Sequence, residues 1–146
     1  MSEMKANRSG GTRLGAAIPA LPVADAAQAA QSYADRLGFA VAHLDSGFAI
    51  VVRDGATIHL WQADDQTWRD RDSLERPVLS GAESFIAGTA SCRVACQGID
   101  TLYEELAGSG ALHEVSNSGV RTTDYGTREF HTLDLDGNLV TFFEQA

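Results

Sequence analysis

The chain has 146 residues, 44% of them hydrophobic and 21% charged. This composition is typical of one globular domain and unlike that of a disordered or fibrous protein. Twenty acidic residues against eleven basic ones give a net charge of −9. This balance argues against a nucleic-acid partner, because binding phosphates needs clustered basic residues. An anionic membrane is disfavoured in the same way, whereas a cationic small molecule would be attracted. No apolar run is long enough to span a membrane and no secretory signal is visible, so we expect a cytoplasmic protein.

The first half of the chain is predicted to fold as β-α-β-β-β. Residues 1–15 are polar and small, which predicts a flexible tail. Residues 17–23 form a predicted strand whose two prolines place it at a sheet edge or in pairing with another chain. Asp25 is a suitable cap for a helix that Gly38 would end. Further strands are predicted at 39–44, 48–53 and 57–62, with the hairpin sequence Asp54-Gly55 between the last two.

A long segment without periodic pattern separates the two halves. Residues 63–88 are rich in charge and include Trp68. Connections of this length in a compact domain are usually functional or disordered. We therefore expect a connector that covers a ligand, with Trp68 as its contact.

The second half repeats the element order of the first. A strand at 91–96 and a helix beginning near Ile99 precede further strands, predicted at 112–116, 122–125, 128–133 and 139–144. One module alone would leave a sheet face uncovered, so two modules are expected to form a larger curved mixed sheet with helices outside and a concave face for a ligand. The predicted fold is α+β, a single domain over 16–146 with module one at 16–62, the connector at 63–88 and module two at 89–146.

Three segments of the chain together resemble one superfamily. They are AIPALPVAD at 17–25, YADRLGF at 33–39 and REFHTLDLDGN at 128–138. The chain is similar to the glyoxalase/bleomycin-resistance/dioxygenase, or vicinal oxygen chelate, superfamily, and within it to bleomycin resistance proteins. The resemblance implies paired βαβββ modules and a homodimer that exchanges its N-terminal strand at a hinge proline. Pro19 matches that proline, and an edge-strand proline without exchange is the alternative.

The resemblance also implies where a metal would bind in the superfamily's enzymes. The matching positions here are Ile18, His59, Ser91 and Thr141. Only His59 is a good ligand, whereas a catalytic zinc site typically has three protein ligands. We therefore expect no catalytic metal and no cofactor. A metal-dependent lyase, isomerase or dioxygenase is the alternative function.

Aromatic residues are the candidates for a ligand site. Phe48, Trp61 and Tyr125 match or adjoin positions that line the groove in the resistance proteins, and Trp68 would close over it. His59 shares strand parity with Trp61 and would face the same cleft. Aromatic faces hold planar heterocycles, and carboxylates hold cationic tails. The hypothesis is reversible, non-catalytic sequestration of a bleomycin-like cationic aromatic antibiotic. Core packing of Trp61 and a satisfied sheet histidine at His59 are the alternatives.

Three further observations bear on that hypothesis. Cys92 and Cys96 would lie ~13 Å apart on a strand, too far for a disulfide, which suits a reducing compartment. They are expected to be small buried residues rather than nucleophiles. Arg93 falls near a position that is aromatic in one resistance protein, and a cation there is unfavourable for a cationic drug, so a different natural product is an alternative ligand. A structural or regulatory module without a small ligand is a third possibility.

Overall fold

The computed structural model describes residues 11–63 and 86–146. They form an α+β structure of two modules, each with one helix and one four-stranded sheet. The predicted fold class is confirmed. In this part of the chain, no helix is long and apolar enough to cross a membrane.

The first module contains one helix and four strands in the sheet order β1-β4-β3-β2. β1 pairs in parallel with β4, and the other neighbours are antiparallel. The elements are β1 at Ala20–Val23, α1 at Ala26–Leu37, β2 at Ala40–Leu44, β3 at Phe48–Arg53 and β4 at Ala56–Gln62.

Helix α1 begins and ends at the residues that the sequence predicts. The Asp25 carboxylate accepts a hydrogen bond from the Gln28 N–H at 2.8 Å, which satisfies a free donor at the helix start. Gly38 ends the helix with a φ of 74°, a left-handed conformation that favours glycine. The side chains that helix periodicity places on one face are the buried ones: Ala26, Ala29, Ala30, Tyr33 and Leu37.

The second module has the same arrangement, with the sheet order β5-β8-β7-β6. β5 pairs in parallel with β8, as β1 does with β4. The elements are β5 at Ser91–Ala95, α2 at Ile99–Gly108, β6 at Arg121–Thr122, β7 at Thr127–Leu133 and β8 at Leu139–Gln145.

Two strand predictions in the second module need correction. The predicted strand at 112–116 is wrong: Leu112 makes one isolated bridge to Thr132, and Glu114–Ser116 is a 3-10 turn. The His113 Nδ1 accepts a hydrogen bond from the Val115 N–H at 2.9 Å, so this donor is satisfied locally and not by a neighbouring strand. The predicted strand at 122–125 is also displaced, because β6 ends at Thr122 and the chain then turns through Tyr125.

One hydrophobic core joins the two modules. Its buried residues come from α1, β1, β3 and β4 of the first module and from α2, β7 and β8 of the second. In β3, β4, β7 and β8, alternate residues point into this core, so the intervening residues of these strands lie on faces turned away from it. These two outward faces are where the sheets can meet a ligand.

The turn between β7 and β8 fastens the second module to the first. The buried Asp134 carboxylate accepts hydrogen bonds from the Tyr33 hydroxyl and the Asn138 side-chain amide, both at 2.9 Å. The same amide donates to the Pro22 carbonyl at 2.8 Å. Burial, then the Asp134 charge, raises the pKa of Tyr33 well above its usual value, so this phenol remains a donor.

The chain ahead of β1 lies on the surface. Residues 11–19, here called the N-terminal arm, have no regular secondary structure, and β1 therefore begins later than the predicted residue 17. Leu14 is 91% exposed and Ile18 is 48% exposed. The Pro19 carbonyl at the end of the arm accepts a hydrogen bond from the His59 N–H at 2.9 Å. Two large apolar side chains are thus left uncovered just before the proline.

Candidate functional site

The outward face of the first sheet is aromatic. Phe48 on β3 lies directly across from Trp61 on β4, with ring centroids 4.6 Å apart. The Phe48 ring also makes an edge contact with His59 at 5.0 Å and a tilted contact with His43 at 5.7 Å. These four residues are called the aromatic face: His43, Phe48, His59 and Trp61.

Strand alternation explains why these side chains face outward. Ile58 and Leu60 of β4 are fully buried, whereas His59 and Trp61 between and beyond them are not. Trp61 is 43% exposed, so it is not a core residue. His59 shares this face with Trp61, as strand parity predicts, and is partly exposed there. The face can therefore stack a planar ring and hydrogen-bond its rim.

The outward face of the second sheet is ionic. Arg93 on β5 donates two hydrogen bonds to the Glu129 carboxylate on β7, at 2.8 and 3.3 Å. The guanidinium carbon lies 4.6 Å from the centre of the Phe143 ring on β8. His131 and Thr141 lie beside this pair, joined by a 2.7 Å hydrogen bond between Nδ1 and Oγ1. These five residues are called the ionic face: Arg93, Glu129, His131, Thr141 and Phe143.

Glu129 is the most strongly perturbed acid of this face. Besides Arg93, the Thr127 and Tyr125 hydroxyls donate to its carboxylate, at 2.8 and 3.1 Å. The Arg93 hydrogen bond, followed by those from Thr127 and Tyr125, outweighs burial and lowers the pKa of Glu129 to about 2. Burial lowers the pKa of His131, which favours a neutral imidazole. Glu129 is thus a permanent anion whose oxygens are already satisfied.

An open pocket of about 470 Å³ lies against the ionic face. Its lining combines two residues of that face with β6 and the segment that connects β6 to β7. The lining residues are Arg121, Thr122, Thr123, Asp124, Tyr125, Glu129 and His131. One guanidinium, two carboxylates, two threonine hydroxyls, an imidazole and one tyrosine ring therefore surround the same space.

The structure separates the predicted site residues into two groups. Phe48, His59 and Trp61 lie together on the aromatic face, whereas Tyr125 lies in the pocket beside the ionic face. Tyr125 is 64% exposed and makes no ring contact with another described aromatic residue. Trp68 and most of the connector lie outside the described residues.

Sequence reasoning missed the pairing of Arg93 with Glu129. The signal was present in strand parity, because the buried Phe130 and Thr132 place Glu129 and His131 on the opposite face of β7. What the sequence does not contain is the register that brings β5 and β7 to either side of β8.

The four positions matching the superfamily's metal ligands do not form a metal site. Ile18 cannot coordinate and lies in the N-terminal arm, and the Thr141 hydroxyl is bonded to His131. Within residues 11–63 and 86–146, no group of three or more His, Cys, Asp or Glu side chains converges in a way that would hold a metal ion. The donor set therefore does not fit the metal that the superfamily's enzymes use.

Neither cysteine belongs to either face. Both are free thiols, as the predicted absence of a disulfide requires. Cys92 on β5 and Cys96 just after it are partly buried and pack against the hydrophobic core. Burial, with a further contribution from Asp134, raises the pKa of Cys92 to about 11. This thiol is a protonated packing residue at neutral pH and not an activated nucleophile.

The chain is similar to curated proteins of one kind. Proteins named bleomycin resistance protein from Geobacillus stearothermophilus and Staphylococcus aureus are each 46% identical to it over 128 residues, which is 88% of this chain and 95% of theirs. No family model matches the chain.

Solved structures share its fold. A bleomycin resistance determinant encoded on transposon Tn5 superposes with a TM-score of 0.64 at 20% identity, covering 90% of this chain and 98% of that one. A bleomycin-binding protein from Streptomyces verticillus, complexed with copper(II)-bleomycin, gives 0.62 at 23% identity, covering 90% and 96%.

Proposed function

Because this chain belongs to the family of bleomycin resistance proteins, we propose that it binds a bleomycin-like antibiotic reversibly and without chemical change. The family resemblance inferred from its motifs is confirmed. Sequestration of this kind confers resistance because bound antibiotic is withheld from its target, with one antibiotic molecule held per binding site.

The observation that supports this proposal best is the 46% identity to the resistance proteins over most of both chains. The aromatic face supplies a physical means. Phe48 and Trp61 present neighbouring rings on a rigid hairpin, and His59 adds a hydrogen-bonding edge. Planar heterocycles stack on such rings, and the net charge of −9 attracts a cationic ligand over longer distances.

The ligand test is calorimetric titration of bleomycin into the wild-type protein and two variants. Trp61→Ala and Tyr125→Ala should each weaken binding by about 0.5–1.5 kcal/mol beyond the effect of lost contact area, and the on-rate should fall as salt rises. Leu135→Ala is the control, because Leu135 is exposed and lies on neither face. No wild-type binding at ~10 μM would reject bleomycin as the ligand. Unchanged binding in both variants would reject the site, and Trp fluorescence unaffected by any candidate antibiotic would favour a structural module.

A homodimer with exchanged N-terminal arms is part of this proposal. The arm has no regular secondary structure and carries Leu14 and Ile18 uncovered, and Pro19 at its end would be the hinge. In a dimer these side chains would be buried on the partner, and each cleft would combine outward faces from both subunits. Sedimentation at micromolar concentration should give a dimer, and Leu14→Asp combined with Ile18→Asp should dissociate it, whereas Leu135→Asp should not. A wild-type monomer would overturn this part of the proposal.

Binding without catalysis is the remaining part. The incompatible donor set at Ile18, His59, Ser91 and Thr141 supports it. Metal analysis of protein purified without chelators should find no stoichiometric metal, and bleomycin recovered from the complex should be chemically unchanged. Stoichiometric Ni, Zn, Mn or Fe would favour the enzyme alternative. The free thiols of Cys92 and Cys96 suit a reducing compartment, and we place the function in the cytoplasm.

A further inference from the structure

The Arg93 guanidinium is fixed in the middle of the ionic face. Glu129 holds one edge of it through two hydrogen bonds, and the Phe143 ring lies 4.6 Å from its central carbon. The side chain is nevertheless 45% exposed. A planar cation restrained at an edge and on one side presents its remaining surface in a single orientation, with little entropy left to lose on binding.

Glu129 cannot serve a cationic ligand in this arrangement. Its carboxylate already accepts from Arg93, Thr127 and Tyr125. A ligand ammonium would have to displace one of these donors, and Arg93 would repel it. The Glu129 carboxylate is therefore occupied by donors of the protein itself.

The surroundings of Arg93 favour a hydrogen-bond acceptor instead. Its guanidinium retains N–H groups that no hydrogen bond to a described residue occupies. The neighbouring pocket, which shares Glu129 and His131 with this face, is also lined by the Arg121 guanidinium and by the hydroxyls of Thr122 and Thr123. Asp124, the other carboxylate of that lining, is exposed in the turn after β6.

We infer that the ionic face is a subsite for a planar acceptor group of the ligand, a carboxylate or an amide-type carbonyl, and that Arg93 is its specificity-determining residue. This inference deepens the proposed function, on which it rests for the identity of the whole ligand. It divides the ligand in two: aromatic rings stack on the aromatic face, and an oxygen-rich, non-cationic part meets Arg93. Glu129 is then a positioning residue that orients the guanidinium.

Two small probes of similar shape and opposite charge test the subsite. Benzoate and benzamidine are titrated separately into the full-length protein, and the imidazole signals of His131 are followed by NMR. Benzoate should shift these signals with an affinity about tenfold higher than that of benzamidine, because only benzoate can accept from Arg93. Equal affinity, a preference for benzamidine, or no shift with benzoate would overturn the inference.

Variants separate a role in recognition from a role in stability. Arg93→Gln should remove the preference for benzoate, and Arg93→Lys should keep part of it, because lysine retains the charge without the planar fork. Arg128→Gln is the matched control. Arg128 is the neighbour of Glu129 on β7, points to the other side of the sheet and makes a similar two-bond pair with Asp100. A preference that survives in both Arg93 variants would overturn the inference.

Bleomycin titrated into the same proteins distinguishes this inference from the proposed function. Binding of bleomycin to the wild type without a benzoate preference would overturn the subsite alone. A benzoate preference without bleomycin binding would overturn the proposed ligand alone and leave Arg93 as the recognition group of another acceptor-bearing compound.

Discussion

The two modules have the same strand order and opposite surface chemistry. In each, a parallel strand pair begins the sheet and a hairpin completes it. The outward face of the first presents Phe48, His59 and Trp61, whereas the same side of the second presents Arg93, Glu129 and His131. Shared topology therefore does not imply a shared role. One face can stack a ring, and the other can pair with polar oxygens.

The hairpin turns of the two modules also differ, because one is exposed and the other is partly buried against the opposite module. Asp54 and Gly55 between β3 and β4 are exposed, and Asp54 has a φ of 50°. The corresponding turn between β7 and β8 contains a buried Asp134 that bonds to Tyr33 of the first module. A hairpin turn needs only local geometry, so the extra contacts of the second turn serve to hold the modules together.

The largest expected effect tests whether the two turns contribute differently to stability. Asp134→Asn replaces an acceptor oxygen by an amide that faces donors from Tyr33, Asp136 and Asn138. We expect the free energy of unfolding to fall by roughly 4 kcal/mol, because buried donors lose their charged partner. Asp54→Asn should change it by less than about 0.5 kcal/mol. Urea denaturation of both variants measures this, and equal effects would show that the β7–β8 turn is no more than a turn.

The next effect concerns the acid stability of the ionic face. The pKa of Glu129 is lowered from 4.5 to about 2, so its ionised form stabilises the fold above pH 4.5, and this contribution is lost as the pH falls towards 2. Its size is at most about 3 kcal/mol, and solvent screening at half-exposed Arg93 reduces it. Glu129→Gln should lower stability at pH 7 and flatten the pH dependence between 4.5 and 2.

An ion pair between the two modules provides the control for that experiment. Arg53 on β3 makes two hydrogen bonds to Glu105 on α2, and the Glu105 side chain is half exposed. The Arg53 hydrogen bond lowers the pKa of Glu105, but an exposed pair contributes less than about 1 kcal/mol. If Glu105→Gln and Glu129→Gln alter the acid transition equally, the ionic face has no special electrostatic role.

Much of the fold was predictable because its signals are local. Asp25 and Gly38 define the ends of α1, and Asp54-Gly55 marks the first hairpin. The failures occurred where local signals are weak. The stretch at 112–116 has its two apolar residues, Leu112 and Val115, three positions apart, which is not a strand period, and the His113 side chain accepts from the Val115 N–H in a 3-10 turn. The start of β1 was placed too early because Ala17 and Ile18 continue the apolar run of the strand without pairing in the sheet.

The site was predictable only in part, because strand parity shows which residues share a face but not which strands are neighbours. Parity places His59 with Trp61, and cross-strand register places Phe48 beside them. Tyr125 was grouped with these rings. The structure places it instead in the turn after β6, beside the ionic face, where its hydroxyl donates a hydrogen bond to Glu129. The partner of Arg93 depends on which strands flank β8, and that order is a property of the folded sheet rather than of any segment of sequence.

The smallest expected effect decides to which group Tyr125 belongs. Tyr125→Phe keeps the ring and removes the hydroxyl that donates to Glu129 at 3.1 Å. Because this hydrogen bond is one of three that lower the pKa of Glu129, that pKa should rise in the variant, and stability should fall by about 0.5–1 kcal/mol. Bleomycin affinity should stay within about twofold of the wild type if the ring stacks on the ligand, since Arg93 and Thr127 still hold Glu129 in place. NMR titration of the Glu129 carboxyl and calorimetry with bleomycin measure the two effects. A clear loss of affinity with an unchanged ring would show that the hydroxyl contacts the antibiotic, and Tyr125 would then act as part of the ionic face rather than as a stacking surface.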